Sequence, residues 1–455
     1  MTKMAAVSTP GDLYEQHGEL AQPDLEFGLG LVFGEAEGDP AELRLPPRGD
    51  HNPGAGTSSH NGAHERAAAQ LGERRPGGYG LGGLLRGHRF ARPSQPCERM
   101  VLVTASVLPE LLVDVSGVVS RVAAFPRLRY MGSKYRLVPD LAGVFAEVGG
   151  QSALDAFSGS GVVSYLLKTL GYQVTSNDFL AFPAAIARAT VVNQYERLTE
   201  EDLDVICGPP ADDRDFIRRT FQGLYFTDED RAFLDSTWSH IDRMNGSKQA
   251  LAISALVLAA ARKQPRGVFT FTNLRYDDGR RDLHLPLREH FRERAAYYNR
   301  VVFDSGQPCT ALSGDVFDLD PQHYDLVYLD PPYAPPRDDN CYIKRYHFLE
   351  GLSVYWRGQE IMENTATKKL AKRYTPFSYK RTVTDALRRT LEQFKNSTIV
   401  LSYSSNAVPD ADTIEGLLRS VKDDVEVRPI DHTYSFGTHV AAQRRAVSEY
   451  LFIGR

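Results

Sequence analysis

The hydrophobic pattern becomes regular only from about Phe125 onwards. Apolar residues recur with helical spacing from Tyr135 to Val148, which predicts an amphipathic helix. A strand at Ala153–Phe157, a helix at Val162–Leu170 and a second strand at Gln173–Ser176 then predict a first βαβ unit. This alternation of elements is typical of an α/β domain.

A long helical stretch separates this unit from the next strands. Residues from about Leu198 to Tyr298 are mainly helical in pattern, and their longest apolar run, Leu251–Ala261, predicts a buried helix that is too short to span a bilayer. The elements predicted downstream are strands at Leu326–Leu329, Thr398–Tyr403, Val425–Ile430 and Glu449–Ile453, with a helix at Thr384–Phe394. The whole pattern predicts a doubly wound, largely parallel sheet.

The first part of the chain lacks such a pattern. The stretch Gly49–Gln95 is rich in Gly, Pro, His, Arg and Ser and has no sustained helical or strand period. Such a composition cannot bury enough apolar surface to offset the entropy lost on ordering. We therefore expect residues 1–122 to be a low-complexity, poorly ordered extension. Either translation starts later than assigned, or the extension is a flexible tail that recruits a partner.

Composition narrows the class of protein. The 455 residues suffice for two or three domains, and a net charge of −5 means that any basic, nucleic-acid-binding surface must be local. Four scattered cysteines without CxxC spacing predict neither a disulfide framework nor a zinc site, so we expect no bound metal. Because no signal peptide or membrane span is evident, we expect a cytoplasmic protein.

The most informative motif is the strand end Tyr324–Tyr333, which reads YDLVYLDPPY. Two prolines cannot continue a strand ladder, because neither has an N–H and each has a fixed φ angle. Pro331 and Pro332 therefore predict a stiff loop at the carboxyl end of a strand, which is where open α/β sheets bind ligands. The Asp330 carboxylate, the Pro331 carbonyl and the Tyr333 ring would suit a planar group that carries an NH₂, such as a nucleobase edge.

A second motif predicts a cofactor site. Asp155-Ala156-Phe157-Ser158-Gly159-Ser160-Gly161 runs from a strand through a glycine turn into a helix, where free N–H groups and close backbone approach favour a ligand. Asp178 ends the next strand, where an acidic side chain can hold ribose hydroxyls. Asp315 follows another transition from apolar residues to a turn and could accept a hydrogen bond from an adenine amino group. Each acid taken alone is more simply a solvated strand end, but together they favour a site.

Local basic clusters are present despite the negative net charge. One lies between Arg262 and Arg300, and the other follows the proline loop and is interleaved with aromatic residues. Basic and aromatic residues in this mixture suit a phosphate backbone beside an opened base stack, although either cluster could instead be an ordinary solvated face. The predicted DNA contacts are Arg266, Arg275, Lys368, Lys372, Arg373 and Lys380.

These segments resemble the Dam-like, adenine-specific DNA methyltransferases that use S-adenosylmethionine. The resemblance runs from about Leu128 to the end. It is carried, in the family's order, by Arg129–Lys134 (RYMGSK), Phe157–Gly161 (FSGSG), Arg266–Phe271 (RGVFTF), Asp330–Tyr333 (DPPY) and Tyr346–Phe348 (YHF).

The resemblance implies a function, a fold and roles for individual residues. It implies a Rossmann-like methyltransferase sheet at residues 123–197 and 301–455, with a mainly helical target-recognition domain inserted at 198–300. The implied cofactor is S-adenosylmethionine, and the implied partner is double-stranded DNA, with a cognate restriction endonuclease as a further candidate. The residues implied to contact the cofactor are Tyr130, Lys134, Phe157 and Asp178, and those implied to contact the target base are Asp330 and Tyr333.

The expected reaction is methylation of N6 of an adenine that is flipped out of the duplex. Asp330 and the Pro331 carbonyl would accept the two N6 hydrogens, and Tyr333 would stack on the base. Two kinds of alternative stay open. One is a different acceptor, such as RNA adenine, cytosine N4 or a glutamine amide, and the other is a DNA-binding protein whose cofactor site has decayed.

Overall fold

The structure is a computed structural model that describes residues 114–264, 267–270, 279–334, 341–435 and 444–455. Its strands are β1 (Ser152–Asp155), β2 (Gln173–Asp178), β3 (Thr310–Ser313), β4 (Leu326–Leu329), β5 (Thr398–Ser404), β6 (Val425–Ser435) and β7 (Arg444–Gly454). The α-helices up to the middle of the chain are α1 (Val115–Ala123), α2 (Val138–Val148), α3 (Val162–Thr169), α4 (Ala181–Ala187), α5 (Glu200–Ile206), α6 (Phe216–Thr220) and α7 (Asp228–Ile241). The remaining ones are α8 (Gly246–Arg262), α9 (Arg281–His284), α10 (Leu287–Val301), α11 (Tyr342–Val354), α12 (Val383–Gln393) and α13 (Ala411–Arg419).

The seven described strands form one sheet in the order β3-β2-β1-β4-β5-β7-β6. The strands from β3 to β5 pair in parallel, whereas β7 is antiparallel to both β5 and β6. From β1 the chain moves outward to β2 and β3 on one side, and β4 and β5 then lie on the other. The sheet is therefore doubly wound, as predicted, and its strand order reverses between the neighbouring parallel strands β1 and β4. In such sheets the crevice at the carboxyl ends beside the switch is the usual ligand site.

Each face of the sheet carries its own hydrophobic core. On one face, β4 residues Leu326 and Tyr328 pack in the same cluster as α2, α3, α4 and α8. On the other face, Val327 and Leu329 pack in a cluster with α12 and α13. Successive residues of β4 thus point to opposite faces and are all buried. This explains why a central parallel strand is a continuous apolar run in the sequence.

The predicted elements differ from the observed ones mainly at the edges of the sheet. β3 was not predicted as a strand because it is short and largely exposed, so it has no apolar run. β6 and β7 extend well beyond the predicted ranges, since they pair with each other as a long antiparallel ribbon. The predicted helix from Tyr135 begins as a 3₁₀ turn and becomes α-helical at Val138. The buried helix expected at Leu251–Ala261 is confirmed within α8.

The expectation that the poorly ordered extension continues to residue 122 is wrong at its end. Residues from Val115 onwards form α1, and Asp114 caps this helix by accepting a hydrogen bond from the Gly117 amide. Val118 and Val122 are buried in the core with α2 and α3. The physical reason is visible in the sequence, because valines recur at helical spacing in this segment. Residues 1–113 lie outside the described part of the chain.

The segment predicted as an insert, residues 198–300, contains only helices and loops where the structure describes it. Its core is continuous with that of the sheet. Leu256 of α8 and Phe291 of α10 belong to the same buried cluster as Leu326 and Tyr328 of β4. Packing therefore does not separate this segment from the sheet, and its role as a target-recognition domain stays a prediction. No helix in the described ranges is both long and apolar enough to cross a membrane.

The shared core predicts a single unfolding transition. Leu256→Ala removes a side chain that is 1% exposed, and should lower the free energy of unfolding by about 2–5 kcal/mol. Chemical denaturation followed by circular dichroism measures this. Val205→Ala is the control, because that side chain is 55% exposed and should change stability by less than about 0.5 kcal/mol. Two separate transitions, with only one shifted by Leu256→Ala, would contradict a shared core.

Candidate active site

A cavity opens at the carboxyl ends of β1, β2 and β4, beside the point where the sheet changes direction. Its volume is about 830 Å³ when the open mouth is counted, which is within the usual range for a small-molecule site. The predicted cofactor and catalytic residues that line it are Tyr130, Lys134, Asp155, Phe157, Gly159, Asp178, Asp330 and Pro332. The structure thus brings the glycine turn and the proline loop, which are far apart in the sequence, to the two sides of one cavity.

The glycine turn between β1 and α3 is shaped by close packing. Gly159 has a φ angle of +51° and Gly161 one of +83°, which other residues rarely adopt. A Cβ atom at Gly159 would also come within 2.8 Å of Cε1 of Tyr130. Tyr130 in turn stacks on Tyr346, with ring centroids 4.9 Å apart and planes 11° apart. Glycine at position 159 therefore lets the turn lie against an aromatic wall of the cavity, while Gly161 begins α3 without lining the cavity.

Asp155 is a fully buried carboxylate at the end of β1. Ser164 of α3 donates a hydrogen bond to its Oδ2 at 2.6 Å. Burial raises the pKa of Asp155 to about 7, and the Ser164 hydroxyl offsets only part of that rise. The negative charges of Asp330 and Asp178 nearby act in the same direction as burial. A carboxylate kept here at such a cost is typical of functional sites.

Asp178 lies at the end of β2 and holds the glycine turn in place. Its Oδ2 accepts a hydrogen bond from the Gly159 amide at 2.8 Å, and its Oδ1 accepts one from the Leu180 amide at 2.9 Å. Burial raises its pKa to about 6, although these two amides act against the rise. Asp178 therefore connects β1 and β2 across the cavity, and its neighbour Phe179 forms part of the cavity wall.

Asp330 follows β4 and is held from one side by three donors. The Lys134 ammonium lies 2.7 Å from its Oδ1, the Tyr333 hydroxyl 2.9 Å and the Ser402 hydroxyl 3.2 Å from the same atom. The Lys134 side chain is only 5% exposed, so this ion pair is largely shielded from water. The arrangement presents the other side of the carboxylate to the cavity that Asp330 lines.

Tyr333 does not lie where a stacking role would require it. Its side chain is 5% exposed, and its ring packs against Tyr403 at a centroid distance of 4.7 Å. The Lys134 ammonium lies 5.1 Å from the ring centroid. Tyr333 and Pro331 do not belong to the cavity lining. In this structure the phenol of Tyr333 contacts Asp330, and its ring faces the protein interior.

The other predicted site residues are more scattered. Asp315 caps a 3₁₀ turn by accepting a hydrogen bond from the Phe317 amide and does not line the cavity. Arg373, predicted to contact DNA, lines the cavity, where it pairs with Glu350 at 2.7 Å and lies over the Phe179 ring. Lys368 pairs with Glu363. Lys372 and Lys380 are exposed, and Arg266 and Arg275 lie outside the described residues.

Sequence reasoning missed several residues that shape the site. Tyr342 and Tyr346 of α11 pack on Tyr130, and the Tyr346 hydroxyl accepts a hydrogen bond from the Met131 amide. Ser402 of β5 and Glu449 of β7 contact the Asp330 cluster from neighbouring strands. An aromatic repeat with helical spacing just after DPPY was the available signal for the tyrosines. No signal marked Ser402 or Glu449, because only strand register brings them to Asp330.

Comparison with known proteins agrees with this geometry. A profile of the family described as D12 class N6 adenine-specific DNA methyltransferase matches residues 130–403. The Type II methyltransferase M2.HphI of Haemophilus parahaemolyticus is 30% identical over 345 residues, which cover 72% of this chain and 97% of that protein. The Type II methyltransferase M.FokI of Planomicrobium okeanokoites is 25% identical over 318 residues, covering 64% of this chain and 47% of that protein. No solved structure gives a significant match.

The raised pKa of Asp155 makes a prediction about stability. A group whose pKa is about 7 when folded, against 3.8 as its ordinary value, binds its proton more tightly in the folded state, so stability falls as pH rises between those values. Asp155→Asn abolishes that fall. Relative to the unaltered protein, the variant should therefore gain about 2 kcal/mol or more in free energy of unfolding between pH 4.5 and pH 7.5.

Denaturant titrations across that pH range measure the gain. Asp325→Asn is the matched control, because hydrogen bonds from the Gln151 and Ser152 amides lower the pKa of Asp325. That group is already ionised at pH 4.5 in the folded protein, so its variant should show a nearly constant difference from pH 5 to 7.5. A constant difference for Asp155→Asn as well would show that burial does not raise the pKa of Asp155.

Proposed function

The chain belongs to the family of D12 class N6 adenine-specific DNA methyltransferases, and on that premise we propose that its cavity binds S-adenosylmethionine while Asp330 holds the amino group of the target adenine. The observation that carries the proposal is the single cavity lined both by the glycine turn with Asp178 and by Asp330 with Pro332. A methyl donor and a methyl acceptor must meet, and this cavity has a suitable wall for each.

The residues on the glycine-turn side fit S-adenosylmethionine. The Ser158 hydroxyl is buried in the cavity lining and has no hydrogen-bond partner among the described residues. Such a group favours a bound polar ligand, because an unpaired buried hydroxyl is costly. Asp155 and Asp178 supply carboxylates for a cation and for ribose hydroxyls, and Phe179 supplies a flat apolar wall. When bound, the cofactor supplies a methyl group on a cationic sulfur, which takes back the electron pair of the broken carbon–sulfur bond.

Asp330 would act on the adenine amino group. The N6 lone pair is delocalised into the ring, so nitrogen is a poor nucleophile until its hydrogens are held out of the ring plane. The hydrogen bonds that Asp330 receives from Lys134, Tyr333 and Ser402 all go to Oδ1, which supports Oδ2 as the acceptor for one N6 hydrogen. The Pro331 carbonyl would accept the other. After the nitrogen lone pair has bonded to the methyl carbon, one N6 proton must leave, and Asp330 is the nearest base.

The target base must leave the duplex to reach this cavity, at a cost of a few kcal/mol. Stacking of the base on Tyr333 would offset about 1–3 kcal/mol of that cost, but it requires the ring to leave its packing against Tyr403. We propose instead that the Tyr333 ring stays packed against Tyr403 and that its phenol orients Asp330.

Double-stranded DNA would approach over the segment that follows the proline loop. Lys372, Tyr374 and Lys380 are exposed, whereas Arg373 and Thr375 line the cavity. Tyr374 stacks on Tyr379 with ring planes 17° apart. Exposed basic and aromatic side chains at the cavity mouth suit a phosphate backbone next to a flipped base.

A further part of the proposal concerns the biological setting. Both relatives carry the name Type II methyltransferase, which supports methylation at a specific sequence together with a cognate restriction endonuclease. Sequencing of genomic DNA for modified adenines, in cells with and without this chain, identifies the sequence.

Removal of the proposed acceptor tests the mechanism. Asp330→Ala should lower the rate of methyl transfer by about a hundredfold or more, since a preorganised polar partner of the reacting group is lost. Cofactor affinity measured by calorimetry should change little, and Lys134 retains Glu449 at 3.5 Å as a counterion. Asp320→Ala, which removes an exposed carboxylate near the same strand, is the control. Near-normal methylation by Asp330→Ala would overturn the assignment.

The proposed DNA surface is tested by salt dependence. If both lysines neutralise phosphates, Lys372→Ala combined with Lys380→Ala should weaken DNA binding and reduce the slope of log affinity against log salt by about 1.8. Lys395→Ala is the matched control. Lys395 lies just before β5, at the amino ends of the parallel strands and away from the cavity, and it pairs with Glu392. Fluorescence anisotropy with a labelled duplex measures both slopes. An unchanged slope in the double variant would place the DNA elsewhere.

A further inference from the structure

A second buried carboxylate lies beside Asp330, and nothing in the proposed mechanism uses it. Glu449 of β7 is 1% exposed and pairs with Ser404 of β5 in the antiparallel register. Side chains two residues apart on a strand share a face, so Ser404 lies on the same face as Ser402, whose hydroxyl contacts Asp330. The register of β4, β5 and β7 therefore brings Glu449 to the Asp330 cluster.

Glu449 contacts two of the three residues that hold Asp330. The Tyr333 hydroxyl hydrogen-bonds to Glu449 Oε1 and also lies 2.9 Å from Asp330 Oδ1. The Lys134 ammonium lies 3.5 Å from the same Glu449 oxygen and 2.7 Å from Asp330 Oδ1. A phenol has one proton and can donate it to only one carboxylate at a time. Two carboxylates therefore share one ammonium and one phenol.

We propose that Glu449 is a positioning residue for methyl transfer, which acts on the reacting nitrogen through Lys134 and Tyr333 by sharing them with Asp330. This inference rests on the proposed role of Asp330 as the acceptor for the adenine amino group.

The charge of the cluster gives the physical reason. Lys134 with Asp330 alone would be neutral, whereas Lys134 with Asp330 and Glu449 carries one net negative charge. Nitrogen gains positive charge as it bonds to the methyl carbon, and a fixed negative charge nearby stabilises that change most strongly in a water-excluded site. When the Tyr333 phenol donates to Glu449 instead of to Asp330, the Asp330 carboxylate is freer to accept from the substrate.

Besides its charge, Glu449 contributes by holding the proline loop in position through Tyr333. Ser402 approaches Asp330 from β5 and Lys134 from the segment just before the 3₁₀ turn at Tyr135, whereas Tyr333 lies in the loop after the prolines. Its bond to Glu449 ties that loop to β7, so the backbone at Pro331 and Pro332 is held at both ends. Loss of this tie would let the acceptor pair move relative to the cavity, and small misplacements of reacting groups cost rate strongly.

The test is Glu449→Gln, which keeps the shape and can still accept from Tyr333 but removes the charge. The matched control is Glu426→Gln, which removes a strand carboxylate that pairs with Arg428 and Arg455 at the surface. Thermal stability is measured for each variant, together with three functional quantities: the affinity for S-adenosylmethionine by calorimetry, the affinity for a pool of unmethylated DNA duplexes, and the single-turnover rate of methyl transfer to adenine.

We expect Glu449→Gln to bind both ligands within about threefold of the unaltered protein and to transfer the methyl group about tenfold more slowly or worse, by analogy with the loss of outer-shell partners. Glu426→Gln should match the unaltered protein in all three. A merely structural Glu449 would lower thermal stability and ligand affinity without a separate loss of rate, and that result, like a full rate in Glu449→Gln, would overturn the proposal.

If Glu449→Gln does not fold, Glu449→Asp is the variant that tests the positioning role. This variant keeps the charge but withdraws the carboxylate by one methylene from Tyr333 and Lys134. A reduced rate at unchanged ligand affinity supports the proposal, and a full rate overturns it. Measurements on the unaltered protein distinguish failure of the proposed function from failure of the proposed role of Glu449. If it transfers no methyl group to adenine, the proposed function fails, whereas an active unaltered protein with an equally active Glu449 variant refutes only the role of Glu449.

Discussion

The buried ion pair between Lys134 and Asp330 is the interaction on which the site depends. It joins the segment before α2 to the end of β4, and these are 196 residues apart in the chain. Because the Lys134 side chain is only 5% exposed, loss of Lys134 would leave the Asp330 carboxylate without its counterion, which is destabilising. Loss of Asp330 would leave Lys134 with Glu449 at 3.5 Å. The pair therefore fixes the distance between the two halves of the cavity as well as the charge at its centre.

The cavity holds several carboxylates close together, and burying them is costly unless a ligand interacts with them. Asp155 and Asp178 are buried beside Asp330, and burial raises the pKa of both Asp155 and Asp178 above the ordinary value. Such groups weaken the folded protein near neutral pH, since the folded state must bear ionised carboxylates away from water. A cationic methyl donor and a base with an exposed amino group, the ligands proposed above, would interact favourably with these carboxylates.

The helical segment between β2 and β3 is structurally part of the catalytic unit. Leu256 of α8 and Phe291 of α10 pack in the same core as the central strand β4. A shift of either helix would therefore displace side chains that pack against the sheet. His347 of α11 extends the connection, because it hydrogen-bonds to the Phe269 carbonyl at 2.8 Å just beyond α8. Recognition of a target sequence by this segment would therefore be transmitted to the cavity through packed side chains rather than across a flexible linker.

The amino-acid sequence by itself determined the central strands of the sheet and the two motifs of the candidate site, which are the glycine turn and the proline loop. Continuous apolar runs marked β4 and β5, because both strands are buried on both faces. Gly159 marked the turn after β1, and the two prolines after Asp330 marked the loop after β4, through local backbone constraints. These are short-range signals, so they are readable without a structure.

Only the tertiary structure decided which residues complete the site. Glu449 reaches Lys134 through the register of β7 on β5, Arg373 turns into the cavity instead of out towards solvent, and the Tyr333 ring packs inward against Tyr403. Edge strand β3 and helix α1 were likewise missed, because an exposed strand has no apolar run and a short helix is stabilised mainly by what it packs against. The positions of Glu449, Arg373 and Tyr333 depend on contacts between distant segments, which no pattern within one segment encodes, whereas the helical spacing of the valines in α1 was a local signal.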